Sequence, residues 1–290
     1  MLPDMTPHSL ALLGRSFAQL GLVPDASWQH AYRDALRSHM PGAGAETLSV
    51  MGQGLLHLGL RPDEGWLADF CMETAACMHE ADAASVARFA HFLASCGCPA
   101  PADWVAAIMQ RALEVAPEEY DPPDLLPLVL RSLVKLGWAP DGAWLHEVLR
   151  RIALRAPELQ PSSLIITVSS LVALQHCCSS SAAQAGHPDQ ELEGLYDTDT
   201  LFACLDVLLQ AALGRVAAFT ATELRWLLEP LQLLPDYSVH PDTALAFTQA
   251  LAEQQAAEEG QEEVWVCHDS VAMGLNDFVT TDWLLAALTA

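Results

Sequence analysis

LGLRPDEGW, Leu58 to Trp66, reads as a helix stop, a forced restart and an aromatic anchor. It recurs as LGLVPDASW (Leu20–Trp28), CGCPAPADW (Cys96–Trp104) and LGWAPDGAW (Leu136–Trp144). Gly precedes Trp by seven residues each time, and the tryptophans at 28, 66, 104 and 144 are spaced 38, 38 and 40 residues apart. A fixed period in this range is the signature of a repeat array. Gly21, Gly59, Gly97 and Gly137 end a helix, because glycine enters the left-handed conformation without a Cβ penalty. Pro24, Pro62 and Pro140 then stop the helix from resuming, and Asp25, Asp63 and Asp141 are placed to N-cap the next one. The third unit has Pro99 and Pro101 instead, with Asp103 falling late, so its cap is weaker.

Upstream of each stop lies a first helix. Its apolar columns read Leu10/Leu48/Val86/Leu126, Leu13/Met51/Phe89/Val129, Phe17/Leu55/Leu93/Leu133 and Leu20/Leu58/Cys96/Leu136. Their spacing by three and four residues puts them on one helical face. The second helix buries Trp66, Phe70 and Cys71 in one unit and Trp144, Val148, Leu149 and Ile152 in another. Each unit is a helix pair that needs a neighbour to cover its apolar face. The fold expected is all-α, an α-solenoid of stacked helix-turn-helix repeats of about 38 residues.

Residues 1–176 read as well-formed repeats, the Trp28, Trp66, Trp104 and Trp144 units plus a fifth first helix at about Ser162–His176. Thr6–Pro7 opens the first unit, Asp82 caps the first helix of the third, and Asp121–Pro122 restarts the fourth. Residues 177–199, rich in Ser, Gly and acids and without a period, read as an inserted flexible loop. Residues 200–290 read as degenerate acidic repeats. There Leu201–Leu213 is the delayed partner helix with Phe202 in the Trp role, and Thr220–Glu223 is a capping box whose helix Pro230 kinks. His240–Pro241–Asp242 restarts a helix with Leu245 at the Trp position, 38 residues before Trp283, and 252–263 is an acidic excursion.

Thirteen basic residues oppose 37 acidic ones, for a net charge of −24. Residues 1–160 hold 11 basic and 19 acidic side chains, and residues 161–290 hold 2 and 18. Such a balance opposes generic nucleic-acid affinity and confines any RNA role to a local surface of the first half. No apolar run is long enough for a membrane span. The N-terminus MLPDMTPHSL has neither the basic and apolar regions of a signal peptide nor an Arg/Ser-rich transit composition, so a mature form, a fragment or a truncated gene product is expected. The eight cysteines fall mostly in apolar columns and form no C-x-x-C pair, which argues for buried thiols in a reducing compartment rather than a metal site. No nucleophile elbow, phosphate loop or H-E-x-x-H is present, and His57, His79 and His91 have no partner at site spacing. Neither an enzyme nor a cofactor or metal is expected.

Two polar columns carry the functional reading. Thirteen residues before the Trp stand Arg15, Gln53, His91 and Arg131, and nine before it Gln19, His57, Ser95 and Lys135. Separated by four residues, each pair shares a helical face. None of the eight is acidic. Helical-repeat RNA binders read a strand with two or three side chains per repeat, and these residue types suit hydrogen bonding and stacking. Amphipathic helices need polar positions in any case, so an ordinary solvated face stays open beside this reading. A second group, Arg33, Arg37, Arg111, Arg150 and Arg151, is read as cations placed toward helix C-termini in preference to phosphate ligands. The tryptophans are read as core wedges rather than stacking platforms.

The pattern L-x-x-L-x-x-L-G-x-x-P-x-x-x-W between two helices resembles the octotricopeptide repeat family of green-algal organelles. Leu55, Leu58, Gly59, Pro62 and Trp66 carry it best; residues 6–157 match firmly and 158–290 loosely. The resemblance implies a nucleus-encoded factor in the chloroplast, or alternatively the mitochondrion. It implies single-stranded organellar RNA as the partner, in stability, processing, splicing or translation. The rival expectation keeps the fold but makes it a protein-interaction scaffold or structural subunit of an organellar complex, with the acidic C-terminal half as a protein-binding region.

Overall fold

The computed structural model describes residues 2–184, 198–234 and 236–259. Twelve α-helices and no strand occur among them. The chain divides into two compact units, 1–138 and 139–290.

The first unit holds α1 (Pro7–Gln19), α2 (Ala26–Ser38), α3 (Ala45–His57), α4 (Glu64–Cys77), α5 (Ala83–Cys96), α6 (Ala102–Glu114) and α7 (Leu125–Lys135). The repeated turn works as its residues dictate. Gly21, Gly59, Gly97 and Gly137 all have positive φ, between 63° and 76°. Asp25 and Asp63 each accept the amide of the Trp three residues on, at 2.8 Å. In the third unit Pro101 takes the cap position of α6 and supplies no side-chain bond. Thr6 and Asp82 cap α1 and α5. The restart expected at Asp121–Pro122 comes later, with Asp124 at the cap of α7. Pro123 is the cause: the residue before a proline is driven out of helical geometry, so Pro122 cannot begin the helix.

First helices stack on first helices: α1 on α3, α3 on α5, α5 on α7, while α4 packs on α6 in a second row. The buried columns Leu10, Leu48, Val86, Leu126 and Met51, Phe89, Val129 lie between the rows. Glycines set the closest approach in the first row. Gly14 of α1 meets the backbone of Gly54 on α3, and Gly52 of α3 faces the ring of Phe92 on α5. Both contacts lie two residues beyond the repeat-equivalent positions, Gly54 rather than Gly52 and Phe92 rather than Ala90, so the same packing offset recurs along the row.

The second unit holds α8 (Gly142–Arg155), α9 (Pro161–Gln184), α10 (Thr198–Leu213), α11 (Ala221–Leu228) and α12 (Pro241–Glu259). Alternation persists: α8 packs on α10 and α10 on α12, while α9 packs on α11. Asp141 caps α8 through the Trp144 amide at 2.8 Å. Thr220 and Glu223 form both bonds of the capping box on α11, and at Glu229–Pro230 the helix gives way to a 3-10 turn.

Two expectations for this unit change. The helix expected to end near His176 runs on to Gln184, because CCSSSAAQ contains neither Gly nor Pro and the first breaker is Gly186. Residues 185–197 of the expected loop lie outside the described residues, as do Trp283 and the end of the acidic stretch. Leu245 is 58% exposed and does not fill the Trp position; Thr243, Phe247 and Ala250 are the buried face. In earlier units the proline precedes the cap, whereas Pro241 is itself the first helical residue. The helix phase therefore advances by half a turn relative to the proline. Phe202 is half-buried and packs on Tyr237, with ring centroids 5.1 Å apart.

Candidate nucleic-acid interface

The first-helix row of the first unit brings the two polar columns to one face. Arg15, Gln19, His57 and Lys135 are exposed, and Gln53, His91 and Ser95 are half-buried. Arg131 departs from the pattern. It is 5% exposed, which leaves it little surface to offer a ligand.

Charge coupling ties the columns together along the row. His57 is held below its ordinary value by burial and then by the Arg15 charge on the preceding first helix. His91 is held down at about 4 by burial, then by Arg131, Lys135 and His57. Arg131 is lowered to about 10 by burial, so it still carries its charge at neutral pH. The face therefore offers neutral imidazoles, which stack and exchange hydrogen bonds, between permanent cations.

Two cations that column counting missed belong here. Arg88, three residues before His91 on α5, is half-buried and reaches the Ser49 hydroxyl at 3.5 Å. Its column otherwise reads Leu12, Val50 and Leu128, which hides it as an apolar position. Arg61 stands exposed in the α3–α4 turn, and both it and Lys135 act on the buried Cys96 thiol, which burial pushes up to about 12. Only helix spacing continued past the Gly stop would have found it.

The four first helices carry Arg15, Arg88, Arg131 and Lys135 against one acid, Glu46. Their partners α2, α4 and α6 carry Arg33, Arg37 and Arg111 against Asp34, Glu64, Asp69, Glu73, Asp103 and Glu114. The acidic total is thus unevenly placed inside the unit, with the cationic excess confined to the first-helix row.

The second arginine group does structural work. Arg33 donates to the Arg61 carbonyl at 3.2 Å, Arg37 pairs with Asp69 at 2.6 Å, and Arg111 donates to the Ala81 carbonyl at 2.8 Å. In the second unit Arg150 and Arg151 both grip Glu147 at 2.7 Å and hold its carboxyl at about 2. The tryptophans are similarly occupied. Trp66 donates from Nε1 to the Arg33 carbonyl at 3.3 Å, and Trp104 to the Thr74 hydroxyl at 2.8 Å. Trp28, half-buried, stacks on Tyr32 and meets the edge of Phe17, each at 4.9 Å between centroids.

No protein-family model matches the chain, and no curated protein matches it either.

Proposed function

We propose that the chain is an RNA-binding helical-repeat protein that holds single-stranded RNA on its first-helix face. Its resemblance to octotricopeptide repeats supports a place in chloroplast or mitochondrial RNA stability, processing, splicing or translation. The observation that carries the RNA reading is the local charge: four stacked helices with four Arg/Lys and one acid, in a chain of net charge −24. Sequence-specific readers of RNA target single strands, with bases turned toward side chains that stack and hydrogen-bond. Gln19, Gln53, His57, His91 and Ser95 are those side chains, with Arg15 and Lys135 beside them and Arg131 adding charge from beneath.

The test is retention of a randomised single-stranded RNA pool by the purified chain across a salt series. Enrichment of a short motif, with retention that weakens in the Arg15→Ala/Lys135→Ala variant, supports the reading; no retention even at low salt overturns it. A scaffold role has one observation in its favour: Leu12 is 47% exposed on this face, and Leu20, Leu22 and Val23 in the following turn are exposed too. That pattern is what a protein partner would cover.

A further inference from the structure

The first-helix face has two unlike edges. Along one run the connections that lead from each second helix into the next first helix. They carry Glu80, Asp82, Glu118, Glu119, Asp121 and Asp124 and no Lys or Arg, with Glu46 following in the first turn of α3. All but Asp124, which is half-buried, are exposed. Along the other edge run the Gly-Pro turns and the C-terminal ends of the first helices. There Arg61 and Lys135 are exposed, with Arg15 and Gln19 exposed toward the same end of α1. This second edge has acids too, but Asp25 and Asp63 are N-caps, each accepting a backbone amide at 2.8 Å where the positive end of a helix offsets the carboxylate, as Asp82 does for α5 on the first edge. Glu64 and Asp103, in the first turns of α4 and α6, sit against the same helix-end field, as Glu46 does in the first turn of α3.

Resting on the RNA reading above, we infer that the strand lies in one orientation across the face. Its phosphates follow the turn edge over Arg61 and Lys135, and its bases point inward over Gln53, Arg88 and His91. Phosphates on the opposite edge would meet Glu80, Glu118, Glu119 and Asp121, which no α-helix N-terminus offsets and which stand among no Lys or Arg, and their like charge opposes binding over the Debye length of about 8 Å. Bases carry no charge and tolerate that neighbourhood. The half-buried Gln53 and His91 also suit bases better than phosphates. They sit deeper than the exposed cations, where a planar group can be stacked and desolvated but a phosphate would lose its hydration. Phosphate contacts position a strand and base contacts select it, so the two edges divide affinity from sequence choice.

The experiment separates the two in the full chain. Binding of a single-stranded RNA selected by the wild type is measured against salt for Arg61→Ala/Lys135→Ala and for Gln53→Ala/His91→Ala. Counterion release on single strands lowers the log–log salt slope by about 0.7 per phosphate contact. The first variant should therefore lose about 1.4 from the slope while ranking a panel of RNA sequences as the wild type does. The second should keep the slope and lose the ranking. Arg61→Lys/Lys135→Arg should restore the slope, which guards against a fold defect. An unchanged slope in the first variant, or a changed ranking with it, overturns the orientation while leaving RNA binding intact. Absence of wild-type binding at low salt overturns the RNA reading and the orientation together.

Discussion

Gly54→Ala sets a gain in helix propensity against a steric cost. In an unobstructed helix interior the change stabilises by about 1 kcal/mol. Here a Cβ at residue 54 would stand 2.6 Å from the Tyr32 hydroxyl and 3.2 Å from the Ala11 Cα. Tyr32 is fully buried and its hydroxyl donates to the Leu10 carbonyl at 3.0 Å. On its other side the hydroxyl already lies close against Gly14, where an added Cβ would stand 2.5 Å from it. Either the α1–α3 contact opens or the buried hydrogen bond breaks. Overpacking costs about 1–3 kcal/mol and an unmade buried bond about 1–3 kcal/mol. Set against the propensity gain, either cost leaves the variant destabilised by up to about 2 kcal/mol.

A double-mutant cycle isolates the cause. Tyr32→Phe removes the obstructing oxygen and should cost about 1 kcal/mol alone. In that background Gly54→Ala should cost far less than in the wild type, leaving only the Ala11 contact. Urea unfolding followed by far-UV circular dichroism gives the four midpoints. A stabilising Gly54→Ala, or strict additivity across the cycle, would refute the claim that this hydroxyl fixes the α1–α3 spacing. The spacing matters to the candidate site because it sets how Arg15 meets His57 across the same pair of helices.

Gly59→Ala meets no atom within 4 Å but requires φ of +63°, so its cost should be backbone strain alone, about 1–2 kcal/mol in thermal or urea unfolding. Asp63→Ala removes the cap on α4 and should cost about 1 kcal/mol by the same measurement. Trp104→Phe loses the 2.8 Å bond to Thr74 along with buried area and should destabilise by about 1–3 kcal/mol, against about 3–5 kcal/mol for Trp104→Ala. His91, held down at about 4, stays neutral in the fold while the unfolded chain takes up a proton near about 6.5. Stability rises with pH wherever the unfolded chain binds more protons. This contribution is therefore complete above about pH 6.5 and is lost as pH falls toward about 4. His91→Gln should flatten the urea midpoint over that window, and an unchanged pH slope would count against the burial of His91 as its cause.

Most of the fold was legible because its punctuation is local. A glycine, a proline, an aspartate and a tryptophan at fixed spacing each act on the backbone within a few residues, so the turn at Leu58–Trp66 could be read and copied along the chain. Register was legible only where that punctuation held. Pro241 serves as the first helical residue rather than the residue before the cap, and counting from it misplaced the buried face of α12 by two positions. The site was half legible for a different reason. Column counting gives the angle of a side chain on its own helix but not the proximity of the next helix. Arg131 and Gln53 share a column, yet Arg131 is buried and Gln53 half-buried. Arg88 shares a column with three apolar residues and still belongs to the face. Neighbour packing decides such cases, and it depends on pairs such as Gly52 with Phe92 that no single helix records.

The acidic total is a poor guide to what this chain can bind. Helices in packed rows lie about 8–10 Å apart, comparable to the Debye length of about 8 Å at physiological salt. A ligand on the first-helix face therefore responds mainly to that face. Part of the second-row charge is also internally paired, with Arg37 on Asp69 and Arg111 on Glu114. What the remaining acids do is restrict the alternatives. A polyanion repelled by the second row and by the acidic connections is left the turn edge and the centre of the first row. Net charge in such a repeat array sets where a nucleic acid can lie more than whether it can bind, and a strongly negative chain with one cationic row selects harder than a uniformly basic one.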